Sequence, residues 1–230
     1  MNQTHKDNHE PVLGHDPERA GSFSCPKSLV VGVTGGIATG KSTVARMLEN
    51  LGAQRISADE IVHDLLQPGS EVAGEVVSQF GQGILSPGGE IDRAALGDIV
   101  FRDAEKRRRL EAIVHPPVMA EIARRIEDFR RSSTGVLVVE VPLLFEVGAT
   151  HMVDKVLVVS AEQDTQIGRL QKRYNMSQHE AELRIRSQIP IGEKARHADW
   201  VITNEGALHS TKMRVIRLWS EVQKSLALRC

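Results

Sequence analysis

Gly35, Gly40, Lys41 and Ser42 fill every specified position of the pattern G-x-x-x-x-G-K-[ST], inside the stretch LVVGVTGGIATGKSTVA of residues 29–45. The chemistry of that pattern is anion binding. Backbone N–H groups of a glycine-rich turn converge on phosphates, and the dipole of the following helix adds favourable potential. Gly36, Ala38, Thr39, Gly40 and Thr43 are the loop positions that line such a turn. The Lys41 ammonium is placed to reach the β- and γ-phosphates, and the Ser42 hydroxyl to complete a Mg²⁺ shell. The residues therefore point to a nucleoside triphosphate site.

Phosphoryl transfer also needs a group that orients the attacking nucleophile and cations that neutralise the transferred charge. Asp59, in Ile56-Ser57-Ala58-Asp59, follows a short apolar run and is a candidate to accept a hydroxyl proton. A carboxylate there serves equally well as an N-cap for a helix starting near Glu60. Gln166, Arg169 and Arg173 recur at i, i+3, i+7 and so share one helix face, with Arg184 and Arg186 in the next helical segment. That face either closes over a triphosphate or is a solvated basic surface. Arg93 follows Asp92, and His115 precedes Pro116 and Pro117, which reads first as a structural turn. Glu140 ends a strand-like run and Glu146 closes the apolar loop Val141-Pro142-Leu143-Leu144-Phe145 after it; either is a candidate to organise Mg²⁺.

These groups need a scaffold. Leu29–Thr34, Gln54–Ser57, Val136–Val141, Lys155–Ser160 and Trp200–Thr203 read as short buried strands separated by helical patterns. After Lys41, the residues Val44, Leu48 and Leu51 recur at helical spacing, and Val215, Leu218, Val222 and Leu226 do so in the last helix. Alternating strands and helices predict an α/β fold: a doubly wound, parallel, five-stranded sheet in a three-layer α/β/α sandwich. Asp59 would then stand at the carboxyl edge of the sheet, where open α/β proteins bind ligands. The core is expected from 29–59 and 134–230. Residues 60–133 break the rhythm and read as a helical insertion with turns at Gln67-Pro68-Gly69-Ser70 and Ser86-Pro87-Gly88-Gly89. A further helical stretch, about 161–197, is rich in arginine and reads as a lid.

Composition narrows the function. The chain has 230 residues, enough to bury a substantial core, and 29 Lys+Arg against 30 Asp+Glu leave no global basic field for nucleic acid or an anionic membrane. Aromatics make up 3% of the chain, too few for a base-stacking platform. Cys25 and Cys230, far apart, form no disulfide framework and point to a reducing cytoplasm. Residues 1–28 are polar, without the apolar stretch of a signal peptide, and read as a disordered tail despite His5, His9 and His15.

Beyond the loop, separated motifs follow in order: Thr34-Gly35-Gly36-Ile37, Ala58-Asp59, Asp92-Arg93 with Leu96 and Phe101, and Leu110-Glu111 with His115-Pro116. Pro142-Leu143-Leu144-Phe145-Glu146 comes next, then Gln166 with Arg169 and Arg173, Gln188, Ala198-Asp199, and Asn204 with Gly206. In this series, from about Leu29 to the last helix, the chain closely resembles the bacterial dephospho-coenzyme A kinases. The resemblance implies ATP-dependent phosphorylation of the ribose 3′-hydroxyl of dephospho-coenzyme A, with ATP and Mg²⁺. It also implies Asp59 as the base, a lid carrying Arg173, Asn204 and Gly206 on the adenine side, and an acceptor lobe with Arg93, His115 and Pro116. A monomer or weak homo-oligomer, with neither nucleic acid nor membrane as partner, is expected.

Two positions depart from the family pattern. Ser57 stands where the family carries the first aspartate of Asp-Ala-Asp, and Ala38 where glycine is usual, tolerable if its φ is negative. A regulatory GTPase would want an Asn/Thr-Lys-x-Asp stretch, whereas Thr211-Lys212 runs on into Met213-Arg214. The remaining rival is a kinase of another nucleoside, nucleotide or small-metabolite hydroxyl.

Overall fold

The computed structural model describes residue 1 and residues 28–228. The predicted tail, with its histidines and Cys25, lies outside the described residues except for Met1 and Ser28, and so does Cys230.

The β-branched runs become the strands the sequence predicts: β1 (Ser28–Gly35), β2 (Gln54–Ser57), β3 (Gly135–Glu140), β4 (Lys155–Ser160) and β5 (Trp200–Thr203). All pair in parallel, in the order β2-β3-β1-β4-β5. β1 extends one residue past its predicted limits at each end. β3 stops at Glu140 rather than Val141, because Pro142 has no N–H with which to continue the ladder.

Helices cover both faces, as a parallel sheet buried on both sides requires. On one face α1 (Lys41–Asn50) and α9 (Leu208–Ala227) bury Val44, Leu48, Val215, Leu218 and Val222 against Val31, Val33, Leu157 and Val159. The other face is covered from the insertion, which folds as α2 (Ala58–Leu65), α3 (Glu71–Phe80), α4 (Arg93–Arg102) and α5 (Ala104–Ser132). Ile122, Ile126 and Phe129 of α5 pack with Val30, Leu137 and Val139 of the sheet in one continuous core. The C-terminal half of α5 is therefore a layer of the sandwich as well as part of the insertion. α6 (Gln163–Tyr174), α7 (Gln178–Arg186) and α8 (Ile191–Arg196) occupy the stretch between β4 and β5. Among the described residues, no helix is long and apolar enough to cross a membrane.

The structure corrects a local expectation in the insertion. His115-Pro116-Pro117 is not a turn; it lies in the middle of the 29-residue helix α5. An interior proline costs about 3 kcal/mol or more through its missing N–H and its clash with the preceding turn. Val114, Val118, Ile122, Ile126 and Phe129 are all buried along one face of α5, and each such side chain contributes roughly 1.5–3 kcal/mol. Packing on that face outweighs the two prolines, so the helix runs through them.

Candidate active site

β1 lies between β3 and β4, so the chain connections diverge at its carboxyl end, where open α/β sheets form a crevice. The glycine-rich loop emerges there. A Cβ on Gly35, whose φ is +153°, would come within 2.1 Å of the Val159 carbonyl oxygen. Only glycine lets β1 approach β4 so closely. Gly40 is the N-cap of α1 at φ +89°, and a Cβ on it would lie 2.1 Å from Asn204 Nδ2. No side chain caps α1, so the N–H groups of its first turn, which includes Ser42 and the exposed Thr43, are free to face an anion.

The loop is braced before any ligand arrives. Thr39 Oγ1 donates to the Gly36 carbonyl (2.9 Å), and Lys41 Nζ donates to the same oxygen (2.8 Å). Ala38 has φ +57°, so the expectation of a negative φ fails. A left-handed alanine costs about 1–2 kcal/mol. The surroundings impose it: Arg169 Nη1 donates to the Ala38 carbonyl (3.1 Å), and Ala38 and Ile37 pack against Ile167, Leu170 and Ala181 of α6 and α7.

Lys41 is the fixed cation of the site. Burial, and next the Lys194 ammonium, lower its pKa to about 8, while the carboxylates of Glu140, Asp59 and Glu146 pull it back up. Ser42 Oγ donates to Glu140 Oε1 at 2.5 Å, and Glu140 Oε2 lies 3.5 Å from Arg55 Nη1. Glu140 itself is buried. The two acids that the sequence left equivalent are thereby separated. Glu140 belongs to the loop lysine and serine. Glu146 turns toward Lys194 Nζ (2.6 Å) and the Ile189 N–H (3.2 Å).

Asp59 sits in the first turn of α2, exposed, among the charges that act on Lys41. It is not the cap. Ser57 is the N-cap, its Oγ accepting from the Glu60 N–H (3.4 Å), which removes the capping explanation for Asp59. Ser57, at the first of the two family aspartates, thus retains a capping oxygen and lacks the charge.

The arginine row divides into separate jobs. Gln166 is buried, donates to the Ala161 carbonyl (2.9 Å) and presses its Oε1 against Gly36. Arg169 ties Ala38 to the Asn204 carbonyl (2.9 Å). Arg173, one turn on, is exposed, its guanidinium carbon 5.2 Å from the centroid of the Tyr174 ring. Arg186 pairs with Glu182, while Arg184 stacks 3.8 Å from the centroid of the Phe101 ring and so joins α7 to α4. Asn204 is buried: Nδ2 donates to the Thr39 carbonyl (2.8 Å) and Oδ1 accepts from Thr211 (2.7 Å). Both ends of its side chain are therefore taken up inside the protein, one of them by the phosphate loop. Gly206 follows at φ +73°.

In the insertion, Arg93 Nη2 lies 3.0 Å from His63 Nδ1, across a cleft between α2 and the start of α4. His115 and Pro116, inside α5, are not among the residues that line it. Sequence reasoning missed His63, which shares a face with Asp59 at i, i+4 and was detectable by that spacing. It also gave Gln188 no role. Its Oε1 accepts the Ile37 N–H of the loop (2.8 Å), a contact 151 residues apart in the chain with no local signal.

A parallel sheet with a phosphate loop at its switch point, a loop lysine, a serine–carboxylate pair and arginine-bearing helices alongside defines a phosphate-loop kinase. Comparison with known proteins narrows that class. The family model for dephospho-CoA kinase matches residues 29–210. Dephospho-CoA kinase from Symbiobacterium thermophilum is 49% identical over 190 residues, covering 83% of this chain and 80% of that protein. Dephospho-CoA kinase from Geobacillus kaustophilus is 44% identical over 200 residues, 86% of this chain and 100% of its own. Among solved structures, TT1252 from Thermus thermophilus superposes with a TM-score of 0.68 at 31% identity, covering 84% of this chain and 97% of that one. The chain belongs to the dephospho-CoA kinase family.

Proposed function

We propose that this protein transfers the γ-phosphoryl group of ATP to the ribose 3′-hydroxyl of dephospho-coenzyme A, giving coenzyme A and ADP, the last step of coenzyme A synthesis. The observation that carries the reading is the meeting of Lys41, the Ser42–Glu140 pair and Asp59 at one end of the sheet, in a chain of this family. Loop N–H groups not already bonded within the protein, chiefly those from Gly40 to Thr43, cradle the triphosphate, and the Lys41 ammonium shifts from the Gly36 carbonyl to the β- and γ-phosphates. Ser42 and Glu140 offer only hard oxygens, which fits Mg²⁺, and the cation would neutralise the phosphate charge. Among the described residues no larger cluster of metal-binding side chains occurs, in keeping with an ion held mostly by phosphates and water.

Asp59 takes the proton of the 3′-hydroxyl as its oxygen attacks the γ-phosphorus and ADP leaves. Arg173, at the exposed end of α6, closes over the transferred group, with 161–197 acting as the lid. Arg169 and Asn204 brace the loop that holds the nucleotide, and the segment of Asn204 and Gly206 lies on its adenine side. Residues 60–133 bind the acceptor, with Arg93, His115 and Pro116 on that side. The setting we infer is the cytoplasm, the protein a monomer or weak homo-oligomer without nucleic-acid or membrane partners.

The test compares dephospho-coenzyme A with adenosine and AMP at saturating ATP and Mg²⁺, with the new phosphate located by NMR. The remote pantetheine arm supplies binding energy that orients the hydroxyl, so truncated acceptors should lose turnover as well as affinity. Equal efficiency with a plain nucleoside, or phosphate at another position, would favour the nucleoside-kinase rival.

A further inference from the structure

Arg55, on β2, is a nearly buried cation that the transfer chemistry above does not use. Its side chain is 11% exposed, and each of its three guanidinium nitrogens faces a different carboxylate. Nε donates to Glu49 Oε2 in the last turn of α1 (3.2 Å), and Nη2 donates to Glu60 Oε1 in the first turn of α2 (2.5 Å). Nη1 lies 3.5 Å from Glu140 Oε2 at the end of β3. The pairing of β2 with β3 brings this about. Ser57, two residues beyond Arg55 on the same face of the strand, stands in register with Glu140.

The three carboxylates are not equal. Glu49 and Glu60 are about half exposed, so their pairs with Arg55 contribute little by charge. Glu140 is 3% exposed, and among the described residues Arg55 is the one cation within ion-pairing distance of it. A buried carboxylate without a cation is costly. Glu140 Oε1 already takes the Ser42 hydroxyl, so Oε2 is the atom left to balance. In the function above a Mg²⁺ ion arrives and leaves with each nucleotide, so Glu140 passes part of every cycle with no metal beside it. Arg55 is there throughout. Its Nη2 also holds Glu60, the neighbour of Asp59, which ties the start of the helix carrying the candidate base to the Ser42–Glu140 pair.

We propose that Arg55 is a positioning residue of the transfer site. It balances the Glu140 carboxylate and keeps it turned toward Ser42 when no cation is bound. It also fixes the spacing between that pair and the first turn of α2, where Asp59 stands. The proposal rests on the ATP- and Mg²⁺-dependent transfer proposed above and adds the group that prepares the acid for the metal. Arginine suits the task because its planar fork offers N–H groups to several partners at fixed angles, whereas lysine offers one point charge.

The test compares the unaltered protein with Arg55→Met, which loses the charge, and Arg55→Lys, which keeps a charge and loses the fork. Melting temperatures are taken without ligand, with ATP in EDTA, and with ATP and Mg²⁺. Without ligand, Arg55→Met should melt about 5 °C or more below the parent, because Glu140 is left buried with no cation beside it. Mg²⁺ then supplies the missing charge. The gain in melting temperature on adding Mg²⁺ to the ATP complex should exceed the parental gain by about 2 °C or more. Arg55→Lys should show the parental gain. At saturating dephospho-coenzyme A, ATP and Mg²⁺, kcat of both variants should fall about tenfold or more, since small misplacements of reacting groups are costly. KM for ATP should stay within a few-fold, because Lys41 and the loop N–H groups are untouched. A brace of the fold alone would lower the melting temperature equally with and without Mg²⁺ and leave kcat of the folded protein unchanged; either result would overturn the proposal. If Arg55→Met does not fold, kcat of Arg55→Lys decides, and near-parental turnover overturns it. No turnover by the unaltered protein would remove the kinase reading, while the melting comparison, which needs only ATP and Mg²⁺, would still judge Arg55.

Discussion

At the scale of single residues, two side chains carry predictions. Asp59 is in the first turn of a helix that Ser57 already caps, so its carboxylate is not needed to start α2. Asp59→Asn forfeits a favourable charge near a helix N-terminus, worth about 0.3–1 kcal/mol. Loss of a general base, by contrast, costs ~10²–10⁴-fold in rate. We expect Asp59→Asn to bind ATP within a few-fold of the parent protein while turnover collapses. Isothermal titration with ATP and steady-state turnover measure the two effects, and near-parental turnover would contradict the role given to Asp59.

Lys41 carries a pH dependence. Its pKa is depressed to about 8, chiefly by burial and then by Lys194, and only the ammonium form attracts a triphosphate. As pH rises through about 8 the free protein loses that charge. kcat/KM for ATP, which reports the free enzyme, should therefore fall on the alkaline side from there. In the complex the phosphates favour the ammonium, so kcat should hold to higher pH. ATP binding at pH 8.5 should accordingly take up protons, measurable as a dependence of binding heat on buffer ionisation enthalpy. A kcat/KM flat to pH 10 would rule this out.

At the scale of elements, α8 links parts of the site that are remote in sequence. Lys194, buried on α8, pairs with Glu146 of the loop after β3, and Gln188, just before α8, holds the Ile37 N–H of the phosphate loop. Beyond that ion pair Lys194 Nζ makes no hydrogen bond, and Glu146 Oε2 makes none either. Breaking a buried pair by removing one partner typically costs about 3–5 kcal/mol, whereas replacing both with apolar side chains is often neutral. Lys194→Met is expected near the lower end, because Glu146 keeps partial solvent access and the Ile189 N–H. Lys194→Met with Glu146→Leu should recover most of the loss. Urea unfolding of the single and double variants closes the cycle, and additive losses would mean that the pair is not the source of the effect.

At the scale of the whole molecule, what was legible locally and what was not divide along physical lines. Strand positions and the phosphate loop follow from β-branched runs, helical spacing and one motif, because each is set by neighbours within a few residues, and the all-parallel sheet follows from the alternation of strands and helices along the chain. The proline pair defeated local reasoning: His115-Pro116-Pro117 reads as a turn from backbone chemistry, yet five buried side chains along α5 hold it helical. Ala38 reads as a residue that avoids positive φ, yet Arg169 and the α6–α7 packing keep it at +57°. The capping question at Asp59 was open in the sequence since serine and aspartate both cap, and only the start of α2 at Ala58 decided for Ser57. The sequence by itself determined the class of chemistry, through the residues that bind phosphate, and the order of the elements that bear them. Tertiary structure alone decided the partners of Glu140, Glu146, Gln188 and Asn204. Apart from the Asn204–Thr211 bond, those hydrogen bonds and ion pairs join chain segments dozens to more than a hundred residues apart, and such contacts leave no trace in local composition or spacing.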